Sequence, residues 1–281
     1  MQTLFRHRQQ FLSGEKLIAV KKPVRLRYSL SQIILHSVAL AMTQNNRSRY
    51  LMVKHSEGWN VDRCKLWMDK NRYSYDWCYP ASGQAFPSPD EYSGVIVFGG
   101  AGSANDCQEK SWVRDEMAFV EACLKYNTPF FGICLGAQIL ARVLGSKVSA
   151  HPHQHNEIGF HEVFPTAAGA GFLSQPLKFM QWHREGFELP SGAIHLAHNE
   201  LFPNQAFKTD DRTVGVQFHP EVNLDVLRIW HERNKTRPKK DVLDDATRER
   251  HIADAIACED SITAWLDQFL TTWTRLAAQA A

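Results

Sequence analysis

The chain has 281 residues, of which 44% are hydrophobic and 22% charged, the composition of a globular protein with one large core. Its net charge of +2 is unevenly distributed: residues 1–49 hold nine Lys and Arg against one acidic residue, and the rest hold 23 against 29. A mildly acidic body argues against nucleic-acid binding, and no apolar run has membrane-spanning length, so we expect neither nucleic-acid nor membrane partners.

The basic residues 1–49 do not resemble part of a folded domain, and we expect them to form an extension. Three interpretations stay open: a native start at Met42, a sorting signal with a cleavage-like site at residues 39–41, or a genuine basic arm. Residues 50–235 are expected to form the main domain, and residues 236–281 a helical segment packed on the same domain.

Apolar runs and helical spacing alternate along the chain from residue 50 onward. The clearest strands are predicted at residues 50–54, 94–98 and 130–133, and the clearest helices at residues 115–124 and 135–144. Further strands are predicted at residues 158–163, 179–182, 194–197 and 213–218, and closing helices at residues 224–234 and 246–276. Strand, sharp turn and helix in this order predict an α/β fold with a mostly parallel sheet flanked by helices.

A cysteine between two glycines, Gly132 and Gly136, follows the strand at residues 130–133 and begins the next helix. This arrangement is a nucleophile elbow, in which glycines allow close backbone packing. N–H groups and the dipole at the helix N-terminus favour the thiolate of Cys134, and the N–H of Leu135 is well placed to bind an oxyanion. For the elbow alone, simple buried packing of Cys134 is the alternative interpretation.

A histidine and a glutamate, His219 and Glu221, end the strand predicted at residues 213–218. A cysteine nucleophile needs a base that takes its proton and later protonates the leaving amine, and the base needs a partner that fixes its tautomer. We interpret His219 as this base and Glu221 as its partner. A surface histidine beside a surface glutamate is the alternative, and it loses weight because the elbow supplies a matching nucleophile.

Together these motifs resemble the class I glutamine amidotransferases, above all free-standing members similar to the glutaminase domain of GMP synthase. The resemblance extends from about residue 50 to residue 222 and includes residues 98–106, 132–138, 157–160, 181–183, 203–207 and 215–222. It implies a flavodoxin-like, mostly parallel sheet flanked by helices, a Cys-His-Glu triad, a thioester intermediate and no cofactor.

Carried over by position, the resemblance assigns the triad to Cys134, His219 and Glu221. It also implies that Gly100 is a second oxyanion donor through its N–H, and that Gln138 binds the substrate.

His183 is likewise implied as a substrate-binding residue. The sequence departs from the family at Ala101, where proline is frequent, and at Arg184 and Glu185, where glycine and aspartate are frequent. These departures leave open which γ-glutamyl compound is the substrate.

The predicted reaction is hydrolysis of the γ-amide of glutamine, with ammonia passed to a partner synthetase or released. The 281 residues contain no P-loop, so we expect an ammonia-accepting synthetase to be another protein. A stand-alone hydrolase of γ-glutamyl amides or peptides is the alternative. A non-catalytic regulatory subunit is a third interpretation, against which the complete triad argues.

Two other groups of side chains are expected to bear on location and metal binding. His151, His153 and His155 alternate along one segment, but no fourth ligand is suggested, so we expect no metal. No cysteine lies in a CxxC pair, so we expect free thiols and a reducing, cytoplasmic location; the six are Cys64, Cys78, Cys107, Cys123, Cys134 and Cys258.

Overall fold

The computed structural model describes residues 49–58 and 60–280. The three interpretations of the N-terminal stretch therefore concern residues outside the described part of the chain. Within that part, the first strand already begins at Arg49. No helix among the described residues is both long and apolar enough to cross a membrane.

A nine-stranded mixed sheet organises the described chain. Its order is β2-β1-β3-β4-β11-β10-β9-β6-β7, while β5 and β8 pair separately. The first five strands of that order are parallel, and the remaining pairings are antiparallel. The strands are β1 (Arg49–Val53), β2 (Ser74–Cys78), β3 (Gly94–Val97), β4 (Phe130–Ile133), β5 (Val148–Ala150), β6 (Glu157–Pro165), β7 (Leu177–His183), β8 (Glu185–Phe187), β9 (Ile194–His198), β10 (Ala206–Lys208) and β11 (Thr213–Val216).

Helices cover both faces of this sheet, which confirms the predicted α/β class. They are α1 (Arg63–Lys70), α2 (Ser111–Lys125), α3 (Leu135–Val143), α4 (Leu224–Lys235) and α5 (Asp245–Ala280). The sequence patterns located α3, α4 and α5 to within a few residues but did not predict α1, β2, β5, β8 or β10. The missed elements are short, and periodicity is a weak signal over so few residues.

Alternate residues of each central strand enter different hydrophobic cores, because side chains along a strand point to opposite faces. Tyr50 and Met52 of β1 pack in one core with α1 and α5. Leu51 and Val53 pack in a second core with α2 and α3. All four side chains are at most 2% exposed, so the parallel strands are buried on both faces.

The closing helix α5 is anchored to the sheet by Trp273. This side chain is 1% exposed, and its indole Nε1–H donates to the carbonyl of Arg212 at 2.8 Å. Its ring contacts Tyr50 of β1, with centroids 5.8 Å apart. A side chain at Gly94 would collide with this ring, since a Cβ there would stand 2.8 Å from it. Helix α5 therefore contributes to the core of the sheet it covers.

Candidate active site

Three neighbouring parallel strands, β3, β4 and β11, end at the same edge of the sheet. Gly99 and Gly100 follow β3, Cys134 follows β4, and His219 comes shortly after β11. The carboxyl ends of parallel strands are where sites form in α/β sheets. Strand order thus brings together three segments that lie far apart in the sequence.

Cys134 occupies a strained turn between β4 and α3. Its φ is 51° and its ψ is −104°, a conformation that a residue with a side chain rarely adopts. The backbone around it is held by a bond from its N–H to the carbonyl of Val216 at 2.7 Å and by the first helical bond, from Gln138 N–H to its own carbonyl at 2.9 Å. The thiol is 5% exposed and lines a cavity.

The two glycines of the elbow are required by close packing. A Cβ at Gly136 would stand 2.4 Å from the carbonyl oxygen of Val97, and a Cβ at Gly132 would stand 2.7 Å from the backbone of Gly136. Real side chains do not approach so closely, so the turn fits against β3 because both side chains are missing. This is the physical reason for the glycine spacing that predicted the elbow.

His219 is bonded to Glu221 and faces Cys134. Its Nδ1 donates to Oε1 of Glu221 at 2.8 Å, and both side chains are nearly fully buried. The indole of Trp230 packs edge-on against the imidazole, with ring centroids 4.9 Å apart. Burial lowers the pKa of His219, but the charges of Glu221 and Cys134 and hydrogen bonds to both outweigh it and raise the pKa to about 10.

Arg63, which the sequence patterns did not single out, holds the turn that carries Glu221. Its guanidinium donates to the carbonyls of Pro220 and Val222, and its backbone N–H donates to the carbonyl of Glu221 at 2.8 Å. Its other edge forms an ion pair with Glu259 of α5 at 2.6 Å. The side chain is 5% exposed, so the backbone on both sides of Glu221 is fixed from the protein interior.

The two predicted oxyanion donors come from separate segments of the chain. Leu135 is the first residue of α3, where backbone N–H groups have no partner within the helix. Gly100 lies in the loop after β3, and both residues line the same cavity as Cys134. Their role as donors stays a prediction.

The residue predicted to bind substrate at the elbow, Gln138, is 3% exposed and bonded within the protein. Its Nε2 donates to the carbonyl of Glu185 at 2.9 Å and to Oε1 of Gln217 at 3.1 Å. Gln217 in turn donates to Sγ of Cys134 at 3.6 Å. Gln217 was not predicted as a site residue. It lies two residues before His219, and alternate residues of an extended segment share one face, so its position indicated that it could lie near the site.

His183, the second predicted substrate residue, also borders the cavity and has both ring nitrogens engaged by protein groups. Its Nδ1 lies 3.0 Å from the carbonyl of Glu185, and its Nε2 lies 3.0 Å from Oε2 of Glu157 and 3.1 Å from Oε1 of Gln181. Burial lowers the pKa of His183, although Glu157 opposes this shift. Substrate contacts for Gln138 and His183 stay predictions.

A cavity of about 620 Å³ opens above the catalytic candidates. Cys134, His219 and the predicted oxyanion residues line it. Aromatic and charged side chains line it as well, namely Trp182, Trp230, Lys110, Arg184, Arg233, Arg237, Asp106 and Glu185. Arg184, at the departure from the family pattern, is exposed and forms an ion pair with Asp241 at 2.8 Å.

Neither the histidine run nor the cysteines outside the elbow contribute to this cavity. The rings of His151, His153 and His155 lie within 4.8–6.1 Å of each other, but no group of three or more His, Cys, Asp or Glu side chains in the described chain is arranged to hold a metal ion. All six cysteines are free, as predicted.

Several known proteins of one family are similar to this chain. The family model "Glutamine amidotransferase class-I" matches residues 73–234. The glutamine amidotransferase-like protein YfeJ of Salmonella typhimurium is 28% identical over 60% of this chain and 74% of its own length. One subunit of the glutamine-hydrolyzing GMP synthase of Pyrococcus abyssi is 33% identical over 46% of this chain and 66% of its own.

The longer GMP synthase of Aeropyrum pernix is 35% identical over 53% of this chain but only 28% of its own length. Among solved structures, a glutamine amidotransferase from Thermotoga maritima superposes with a TM-score of 0.74 at 28% identity, covering 81% of this chain and 98% of that one. Because the family model matches more than half of the chain, the protein belongs to the class-I glutamine amidotransferase family.

Proposed function

We propose that this protein hydrolyses the γ-amide of glutamine or a closely related γ-glutamyl compound, with Cys134 as nucleophile, His219 as acid and base, and Glu221 as the group that orients the imidazole. The observation that carries the proposal is the 2.8 Å bond from His219 to Glu221 beside a cysteine in a strained elbow. Triad geometry of this kind activates a thiol for acyl transfer.

In the first half of the reaction, the Cys134 thiolate attacks the γ-carbonyl carbon, and the carbonyl electron pair moves onto the oxygen. The N–H groups of Gly100 and Leu135 are the proposed donors to this oxyanion. The tetrahedral intermediate collapses, the C–N bond breaks, and His219 donates its proton to the leaving nitrogen. A raised pKa of His219 favours the imidazolium that this step requires.

In the second half, water attacks the thioester and gives a proton to His219, which is neutral after the first half. The C–S bond breaks, glutamate leaves, and the thiolate–imidazolium pair is restored. Glu221 keeps Nδ1 protonated throughout, so Nε2 is the nitrogen that exchanges protons.

The proposal has two versions, which differ in the group that leaves with the γ-nitrogen. Relatives named GMP synthase (glutamine-hydrolyzing) favour glutamine as substrate, with ammonia passed to a partner synthetase or released. The size of the cavity, about 620 Å³, together with the aromatic side chains of Trp182 and Trp230 in its lining, favours the second version, a stand-alone hydrolase of larger γ-glutamyl amides or peptides.

One assay tests both versions. Ammonia release from glutamine and amine release from γ-glutamyl dipeptides are measured for the purified chain and for Cys134→Ser. We expect turnover that falls by at least about 10³-fold in the variant. Cys258→Ser, at a half-buried cysteine of α5 outside the cavity, is the matched control and should keep its rate. Absence of turnover with both substrate classes, with and without a synthetase, favours the regulatory-subunit interpretation.

A further inference from the structure

His55, which follows β1, lies next to the glycine loop without belonging to the proposed triad. Its side chain is 5% exposed and stands between two hydrogen-bond acceptors. The ring Nδ1 is 3.2 Å from the carbonyl oxygen of Gly99, and Nε2 is 2.7 Å from Oε2 of Glu116 on α2. A carbonyl accepts at Nδ1 and a carboxylate at Nε2, an arrangement that fits an imidazolium paired with Glu116.

The surroundings leave this imidazole little freedom to move. Trp112 packs on it with ring centroids 5.0 Å apart, and Gly100 approaches so closely that a Cβ there would stand 2.6 Å from Nδ1. Glu116 is fully buried, and its other oxygen has no hydrogen-bond partner in the described chain. Burial lowers the pKa of His55, but the charge and hydrogen bond of Glu116 and the Gly99 carbonyl outweigh it, so the net shift is upward.

The hydrogen bond to Gly99 acts on the same peptide group that carries the proposed oxyanion donor. The carbonyl of Gly99 and the N–H of Gly100 belong to one rigid plane and point in opposite directions. A bond that holds the carbonyl towards His55 therefore directs the N–H away from it. The triad lies close to this peptide, since a Cβ at Gly99 would stand 2.6 Å from Cε1 of His219 and 3.3 Å from Cβ of Cys134.

The orientation of a peptide between two glycines depends strongly on such a hydrogen bond. Both dihedral angles that flank its plane belong to residues without a side chain, so the plane can rotate at low cost. A rotated plane would turn its carbonyl oxygen towards the site and would repel an oxyanion. Preorganised donors supply much of the rate enhancement in acyl transfer, so a freely rotating plane would be costly.

We propose that His55, held by Glu116, is a positioning residue that keeps the Gly99–Gly100 peptide in the orientation where the Gly100 N–H can bind the oxyanion. The inference rests on the proposed hydrolysis at Cys134 for its catalytic consequence. The orientation of the Gly99–Gly100 peptide plane can be measured whether or not the protein turns over a substrate.

Two substitutions separate the two bonds of the imidazole. In His55→Asn the side-chain amide nitrogen lies near the position of Nδ1, so it can donate to Gly99 but cannot reach Glu116. In His55→Gln the amide nitrogen lies near the position of Nε2, so it can donate to Glu116 but not to Gly99. Both variants lose the charge and part of the ring volume, which makes them controls for each other.

We expect His55→Gln to lower kcat by about 10- to 100-fold with KM nearly unchanged, because a displaced oxyanion donor affects the transition state alone. His55→Asn, which keeps the bond to Gly99, should retain most of the wild-type kcat. Alkylation of Cys134 by iodoacetamide, a displacement that forms no oxyanion, should proceed at the same rate in all three proteins. His195→Asn, which removes the bond from another imidazole, through its Nε2, to a backbone carbonyl (Ala197, 2.8 Å), is the matched control outside the cavity.

A nuclear magnetic resonance measurement observes the peptide plane directly. Gly99–Gly100 is the only Gly-Gly pair in the sequence, so protein labelled with 13C-carbonyl and 15N glycine yields a single carbonyl-to-nitrogen correlation, that of the Gly100 amide. We expect this signal to shift or broaden in His55→Gln and to stay near its original position in His55→Asn.

An unmoved Gly100 signal in His55→Gln, or equal losses of kcat in the two variants, would overturn the inference. A protein that hydrolyses neither glutamine nor γ-glutamyl dipeptides would contradict the proposed function instead. In that case the Gly100 signal still decides whether His55 orients the loop.

Discussion

Gly99 lies directly against His219: a methyl group on Gly99 would stand 2.6 Å from Cε1 of the imidazole and 3.3 Å from Cβ of Cys134. The glycine is thus needed for the close approach of the β3 loop to the proposed base and nucleophile. The same loop meets His55 at Gly100, one residue further on. Two successive missing side chains allow the loop to fit between the triad and His55.

Gly99→Ala should therefore damage catalysis more than folding. The added methyl group must displace the His219 ring, and displacements of about 1 Å in a catalytic group cost roughly 10²-fold in rate. Steady-state kinetics on the preferred substrate measures the loss, and urea unfolding should show a cost of about 1–3 kcal/mol from overpacking. Gly171→Ala is the control, because a Cβ at Gly171 has no neighbour within 4 Å. Equal rates for the two variants would contradict the contact.

The activity should have an alkaline limit set by His219. The pKa of this imidazole is raised to about 10, and its protonated form is the proposed acid for the leaving nitrogen. A raised pKa keeps His219 protonated up to higher pH. We therefore expect kcat/KM to fall only as the pH rises through about 10. The pH profile measures this limb, and a nuclear magnetic resonance titration of the His219 ring in Cys134→Ser should give a lower pKa, since the charge of Cys134 is removed. A profile that already falls near pH 7 would contradict the assignment.

Acid sensitivity should depend on a buried histidine pair behind the cavity wall. His251 of α5 is 1% exposed, and its Nδ1 lies 3.4 Å from Nε2 of His231 on α4. Burial, followed by the charges of His231 and Arg250, lowers the pKa of His251 to about 4. The unfolded chain, with an ordinary histidine pKa, binds more protons than the folded one between about pH 4 and 6.5, so stability falls as the pH falls through this window.

His251→Phe should remove this contribution. Between about pH 6.5 and 4 the wild-type protein should lose on the order of 1–3 kcal/mol more of its free energy of unfolding than the variant. Urea unfolding at a series of pH values measures both curves. His198→Gln, at an exposed histidine of β9, should parallel the wild-type curve. Parallel curves for wild type and His251→Phe would show that folding does not shift the pKa of His251.

Trp273→Ala should destabilise the whole domain, although Trp273 lies close to the end of the described chain. The substitution leaves a cavity beside Tyr50 and removes the bond to the Arg212 carbonyl, and such losses cost about 3–5 kcal/mol. Thermal unfolding should stay a single transition at a lower Tm. A separate transition for the C-terminal helix would instead show that residues 236–281 fold apart from the main domain.

The elements that could be predicted from the sequence are those with a strong local pattern. The run at residues 94–98 is apolar throughout because β3 is buried on both faces, and the glycine spacing around Cys134 reflects contacts within one turn. Strand β2 was missed because Ser74 and Asp76 interrupt its apolar residues at the edge of the sheet, where one side has no neighbouring strand among the described residues.

Taken alone, the amino-acid sequence determined the reactive groups and their immediate geometry: the glycine-flanked Cys134 at the start of a helix, and His219 two residues from Glu221. These relationships are local, so short-range backbone conformation is sufficient to establish them.

Only the tertiary structure decided which distant groups act together. The adjacency of β3, β4 and β11 places Gly99, Cys134 and His219 side by side. Burial lowers the pKa of His219, and the charges of Glu221 and Cys134 outweigh it and raise the pKa. His55 is 44 residues from Gly99 in the chain, and Arg63 is 157 residues from Pro220. Such pairings follow from the way hydrophobic faces pack and order the strands, and no periodicity within a single segment contains that information.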